Sequence, residues 1–347
     1  MFVRRPLRSL RSATLRLAAA LCAAAPLPAF AQQAVNLYTT REPGLVRPLI
    51  EAFEKSSGLK VNTVFVKEGL AERVAAEGAR SPADLLMEVD IGNLVDLVNR
   101  GVAQPVKSDV VERVVPANLR DAEGRWVALS MRARVVYAAK PLGLKAIGYE
   151  DLAKPAYKGK LCMRSGQHPY NTALVGAYIA HYGPEKAEAW LRGVKANLAR
   201  KASGGDREVA RDILGGVCEI GVGNSYYVGL MRSGAGGPDQ KKWGDAIDVV
   251  LPTLEGKGVH VNVSGAAVAK NAPNRAAAVK FLEWLLSDEA QAIYAQGNYE
   301  YPVSKAAAVH PIIAALGPLT VDPLPVADVV RYRKQASELV DKVGFDN

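Results

Sequence analysis

The sequence predicts an α/β protein of two domains with a ligand cleft between them, on three observations. Strand-like and helix-like apolar patterns alternate through its N-terminal third, as in a parallel sheet covered on both faces. Two long extended runs, residues 126–139 and 259–270, are placed to cross between domains, which makes each domain discontinuous. The length of 347 residues suits two domains, and clefts form where domains meet.

The elements follow in order. A strand at 34–39 alternates Val35 and Leu37, and Arg41-Glu42-Pro43-Gly44 turns the chain. Residues 45–57 place Leu45, Leu49, Ile50 and Phe53 at helical spacing, and Gly58 ends that helix. A β-branched strand at 60–67, a short helix at 70–77, a strand at 85–89 and a helix at 93–99 closed by Gly101 complete the first unit. In the 126–139 run, Arg132 and Arg134 share one face at period two. A loop at 152–162 runs into a strand. Helices are then expected at 171–182, from Pro184, and after Ser203-Gly204-Gly205-Asp206, followed by a strand at 218–223. Helices at 273–287, 289–296 and 327–343 close the chain.

The stretch GVGNSYYVGL, residues 221–230, sets two phenols side by side, Tyr226 and Tyr227. A core strand would carry bulk at alternate positions, and Gly221, Gly223, Asn224 and Ser225 do not. A short strand turning into a helix fits, because glycine permits tight backbone and close approach. Successive helical side chains diverge by roughly 100°. Both phenols therefore reach one cleft only where the backbone bends or a helix begins. The alternative is one core tyrosine beside one half-exposed tyrosine.

Residues 1–31 read as a secretory signal peptide. Five arginines precede an apolar stretch at 17–25 that is too short to span a membrane, and Ala29-Phe30-Ala31 offers the cleavage site. The net charge of +9 owes five units to those arginines, which leaves a mild, scattered +4. Nucleic-acid binding is disfavoured, and no other apolar run is long enough to insert in a membrane. Cys162 and Cys218 survive cleavage, as a disulfide or as two buried thiols; export favours the bridge. The four histidines lack zinc spacing. With no G-x-S-x-G, no H-E-x-x-H and no nucleophile beside an obvious base, the chain reads as a non-enzyme.

In order, VNLYTTREP, SPADLLMEVD, MRARVVY, LAKPAYKGKLC, RSGQHPYN, GGDRE and GNSYYVGL resemble the ferric-iron-binding periplasmic proteins of bacterial ABC importers. These belong to the type II periplasmic binding proteins, and the resemblance spans essentially the whole mature chain. It implies two α/β lobes with mixed, mainly parallel sheets joined by crossing strands. Residues 32–134 with 258–303 form the N-terminal lobe, and 135–257 with 304–347 the C-terminal lobe. It implies Fe³⁺ held by Tyr170, Tyr226 and Tyr227. Carbonate or a similar anion would sit at Ser165, Gly166, Asn224 and one of Arg132 and Arg134. Relatives often place a histidine or tyrosine ligand after the first strand; here Glu42 stands near that place, as a weak ligand or outside the shell. A periplasmic monomer that docks on an inner-membrane ABC permease is implied too.

The chemistry is consistent with that set. Ferric iron is hard and prefers oxygen donors. A phenol with a pKa near ~10 becomes a phenolate beside a trivalent cation. Three phenolates neutralise the ion and leave positions for a bidentate anion. If a helix begins after Gly166, its free N–H groups help to hold that anion. The competing reading is a periplasmic binder of a small anion that uses Arg132, Arg134 and Ser165 without iron. A pure interaction protein with an empty cleft is the other alternative.

Overall fold

The computed structural model describes residues 1–2 and 34–347; the leader's apolar stretch and cleavage site lie outside the described residues. The chain then opens as its alternation dictates. β1 (Ala34–Thr39), α1 (Pro43–Ser57), β2 (Lys60–Phe65), α2 (Leu70–Glu77), β3 (Leu85–Glu88) and α3 (Ile91–Asn99) follow one another, and β2, β1 and β3 pair in parallel. α1 starts earlier than its apolar spacing because Pro43, with φ preset, suits a first turn. It buries Val46, Leu49 and Phe53 and stops at Gly58, whose φ of 71° is left-handed. α3 starts at Ile91 rather than 93 because the Asp90 carboxylate accepts the Gly92 N–H at 2.8 Å.

After β4 (Ala103–Gln104) and α4 (Asp109–Val114) comes β5 (Val127–Ala139). Its first half pairs antiparallel with β9 (Val261–Ala269), up to Ala133 opposite Val261. From Arg134, opposite Asn224, it pairs with β7 (Ile220–Asn224), and further along with β8 (Ile247–Val250). The handover falls between Ala133 and Arg134, so β5 is the crossing strand. β9 itself stays in the first sheet, between β3 and β5. The return crossing lies just before it. There Val259 bridges Val321, and the His260 carbonyl accepts the Arg134 N–H at 3.0 Å. The sheet is mixed, as expected, and among the strands of the described residues the parallel pairs are β2-β1-β3 and β6 (Leu161–Cys162) with β7. Every pair that β5 or β9 makes is antiparallel, because the crossing strands run against the strands they join.

The remaining helices are α5 (Pro169–Tyr182), α6 (Pro184–Ala196), α7 (Asp206–Leu214), α8 (Ser225–Arg232) and α9 (Pro238–Asp245). α10 (Arg275–Trp284), α11 (Asp288–Asn298), β10 (Tyr301–Pro302), α12 (Pro311–Ala314), α13 (Val326–Arg331) and α14 (Arg333–Val343) finish the chain. The helix expected at 327–343 breaks at Tyr332, which lets α13 and α14 both settle on α5. One core gathers around β1, β3 and β9, with the Phe53 and Phe281 rings 4.4 Å apart. A second joins α5, α6 and α14, with Tyr178 stacked on Trp190 at 4.3 Å.

Cys162 ends β6 and Cys218 precedes β7. Their sulfurs are bonded across a separation of 56 residues, with Cα atoms 5.9 Å apart. Such a link restricts the unfolded chain. Replacing both cysteines with alanine should lower the unfolding free energy by about 2–4 kcal/mol, read from urea melts under oxidising conditions. An unchanged melt would show that the bridge adds nothing.

Candidate metal centre

The double tyrosine sits where β7 becomes α8. β7 carries glycines because its neighbours leave no room. A Cβ on Gly223 would lie 2.3 Å from the Tyr137 ring, and one on Gly221 2.2 Å from Val209. The Tyr137 hydroxyl donates to the Asn224 carbonyl at 2.7 Å, which fixes the end of the strand. α8 begins at Ser225, so Tyr226 and Tyr227 occupy its first turn, with rings 4.1 Å apart and tilted by 34°. Tyr170 occupies the first turn of α5. There His168 caps the helix, accepting the Tyr170 N–H at Nδ1 over 3.2 Å. The Tyr170 and Tyr226 hydroxyls are 3.4 Å apart. Two helix N-termini thus present phenols to one point, and the positive end of a helix favours an anionic oxygen.

Burial raises the Tyr226 phenol well above its ordinary pKa, and the facing Tyr170 and Tyr227 add to that. Burial followed by Tyr170 raises Tyr227 in the same direction. Without a cation these hydroxyls keep their protons at neutral pH. Guanidiniums surround them. Cζ of Arg164 lies 5.3 Å from the centre of the Tyr170 ring, Arg134 lies 5.9 Å from it, and Arg207 lies 5.6 Å from the Tyr227 ring. Burial, then Arg164, pushes His168 down to about 4, so it is a neutral cap rather than a charged neighbour.

Arg134 and Arg132 part company at the handover in β5. Arg134 is buried beside the phenols and donates to Asp206 at 2.5 Å, Asn171 at 2.7 Å and Asn224 at 3.0 Å. Arg132 turns to the first sheet, to the Ser264 hydroxyl at 3.1 Å and the Val89 and Val263 carbonyls. Three buried donors beside the phenols have no partner: Asn224 Nδ2, Arg134 Nε and Arg164 Nε. Ser165 and Gly166 point elsewhere. The Ser165 hydroxyl and the Gly166 N–H donate to the Asp346 carboxylate at 2.6 and 2.7 Å. A Cβ on Gly166 would meet Phe345 and Val340, each at 2.8 Å. Both residues are thereby tied to the last turn of the chain, next to the C-terminus.

Glu42 is exposed at the start of α1 and makes no side-chain cap. The inward residue of that loop is Arg41, buried against Glu300 at 3.1 Å and Ser264 at 2.6 Å. Asn171, Asp206, Arg164 and Arg207 were missed as individuals, although all four lie in RSGQHPYN and GGDRE. Among the described residues, no group of three or more His, Cys, Asp and Glu could hold a metal. A cavity of about 980 Å³, walled by Met131, Tyr301 and Val321 among others, does not include the phenols.

Residues 80–315 match the family described as bacterial extracellular solute-binding protein. The chain is 37% identical over 336 residues to "Iron uptake protein A2" of Synechocystis sp., covering 95% of each chain. It is 26% identical to the "Fe(3+)-binding periplasmic protein" of Serratia marcescens, covering 91% of this chain and 92% of that one. Among solved structures, "Bordetella ferric binding protein" has 66% identity and a TM-score of 0.89, over 90% of this chain and 100% of that one. Ferric iron-binding protein A of Mannheimia haemolytica, in an open conformation, has 43% identity and a TM-score of 0.86, over 91% and 99%. With the mixed sheet and the crossing strand already described, these likenesses make the chain a member of the bacterial extracellular solute-binding proteins, a family of transport components with the type II periplasmic binding fold.

Proposed function

We propose that this chain binds ferric iron in the periplasm through the phenolates of Tyr170, Tyr226 and Tyr227 and carries it to an inner-membrane ABC permease. The observation that supports this is the convergence of the three phenols, with two hydroxyls 3.4 Å apart. Three oxygen donors that become anions together suit a hard trivalent ion. The names of the relatives point to the same cargo. The lobes would be 32–134 with 258–303 and 135–257 with 304–347, closing over the phenols. Carbonate or a similar anion would complete the shell on the orphan donors of Asn224, Arg134 and Arg164. Arg164 takes the place of Ser165 and Gly166 in that proposal, and Glu42 stands outside it.

The test is the visible spectrum of the purified protein with ferric citrate, with and without bicarbonate. Binding gives a phenolate-to-iron charge-transfer band, and bicarbonate lowers the iron concentration needed for it. A protein that stays colourless overturns the proposal and leaves the small-anion reading. Each phenol must lose its proton to bind, so apparent affinity should fall about tenfold per pH unit for every proton displaced. Titrating the band downward from pH 8 measures that slope. A flat profile down to pH 5 would exclude phenolate ligands.

A further inference from the structure

We infer that Arg333 and Asp90 form a latch between the two cores, and that Gly92 is the seat that lets it close. The inference rests on the ferric reading for its consequence, but not for its geometry. α3 packs into the core around β1, β3 and β9 through Ile91 and Leu94. α14 belongs to the other, through Ala336 and Leu339, and α13 lies between them, with Val326 in the first core and Val329 in the second. Arg333, the first residue of α14, reaches across, with Nη1 3.6 Å from Asp90 Oδ1. Its guanidinium fills the space where a side chain at position 92 would be. A Cβ there would lie 1.9 Å from Nη1.

The acceptor half of the latch is fixed to the crossing region. Asn262 of β9 donates to Asp90 Oδ2 at 2.7 Å and accepts the Ile91 N–H at 3.1 Å. Arg132, one residue before the β5 handover pair, bonds the Val89 carbonyl and reaches Asn262 Oδ1 at 3.4 Å. Beneath the latch, Asp90, Ile91 and Gly92 meet Pro169, Ala173 and Val329 around a void of about 10 Å³. That leaves room for at most a single water. Pro169 adjoins Tyr170. The latch therefore presses α3 onto the turn that presents a phenol, and separating the two cores at this edge requires breaking it. Its side chains are 41% and 16% exposed, so salt weakens it.

The experiment compares the wild-type full chain with Arg333→Gln, Arg333→Lys and Gly92→Ala. The first measurement is the small-angle X-ray scattering radius of gyration of the metal-free protein in low and high salt. The second is the rate of iron loss to excess citrate. The wild type should expand as salt rises. Arg333→Gln and Gly92→Ala should already be expanded in low salt and respond little, and Arg333→Lys should restore the response. Iron release should be about threefold faster in the first two, in line with a partly exposed ion pair. The charge-transfer band should keep its position, because the phenols are untouched. An Arg333→Gln protein with wild-type dimensions and salt response overturns the latch. If no variant binds iron, the scattering decides the latch alone and the ferric reading fails separately.

Discussion

Tyr226→Phe is expected to remove high-affinity iron binding, with a loss of several orders of magnitude and no loss of fold. Tyr226 faces both other phenols, its hydroxyl 3.4 Å from that of Tyr170 and its ring 4.1 Å from that of Tyr227. Phenylalanine keeps the ring and its packing and deletes the oxygen. Two phenolates would then face a triply charged ion in a site where burial already opposes uncompensated charge. The ring is half-buried in the first turn of α8 and keeps its place as phenylalanine, so the metal-free variant should unfold no more easily than wild type. Competition with citrate, followed at the charge-transfer band, measures the loss. Tyr170→Phe and Tyr227→Phe should each weaken binding strongly too. A Tyr226→Phe/Tyr227→Phe double variant that still holds one iron per chain would end the phenolate assignment.

Much of this centre was legible because it is local. GVGNSYY carries its own instructions: glycines that let β7 pass under Tyr137 and Val209, then a helix start that aims two phenols. The βαβαβ opening was equally readable, since period and caps lie within each element. What was not legible depends on partners far away in sequence. Ser165 and Gly166 look like a free anion loop until Asp346, at the other end of the chain, fills it. Arg132 and Arg134 look alike at period two, yet β5 changes sheets between Ala133 and Arg134. One arginine is thus left among backbone carbonyls and the other among the phenols. No spacing rule marks the residue at which a crossing strand changes sheets, because both halves of β5 are buried alike. The break at Tyr332 is of the same kind: α5 decides it, and α5 lies far upstream.

Arg134→Leu is expected to cost about 3–5 kcal/mol of stability and to abolish iron binding through lost positioning. Arg134 and Asp206 are among the most buried charged groups described, with side chains 2% and 0% exposed. Removing the guanidinium leaves a carboxylate away from water, with the Asn224 N–H at 3.0 Å and a longer contact to Arg164 at 3.5 Å. Breaking a buried pair is expensive for that reason, even where the intact pair adds little net stability. The same arginine joins the elements that aim the phenols. It holds Asn171 in the first turn of α5 and Asn224 at the end of β7, and Asp206 opens α7. Lysine would keep the charge but cannot reach three acceptors in a fixed plane, so Arg134→Lys should fold better than Arg134→Leu and still bind iron poorly. The decisive comparison is the double variant Arg134→Leu/Asp206→Asn. If the cost is the stranded carboxylate, neutralising it should recover a substantial part of the stability in urea melts without restoring the charge-transfer band. If Arg134→Leu alone melts within about 1 kcal/mol of wild type, the buried pair is not what holds these helix ends together.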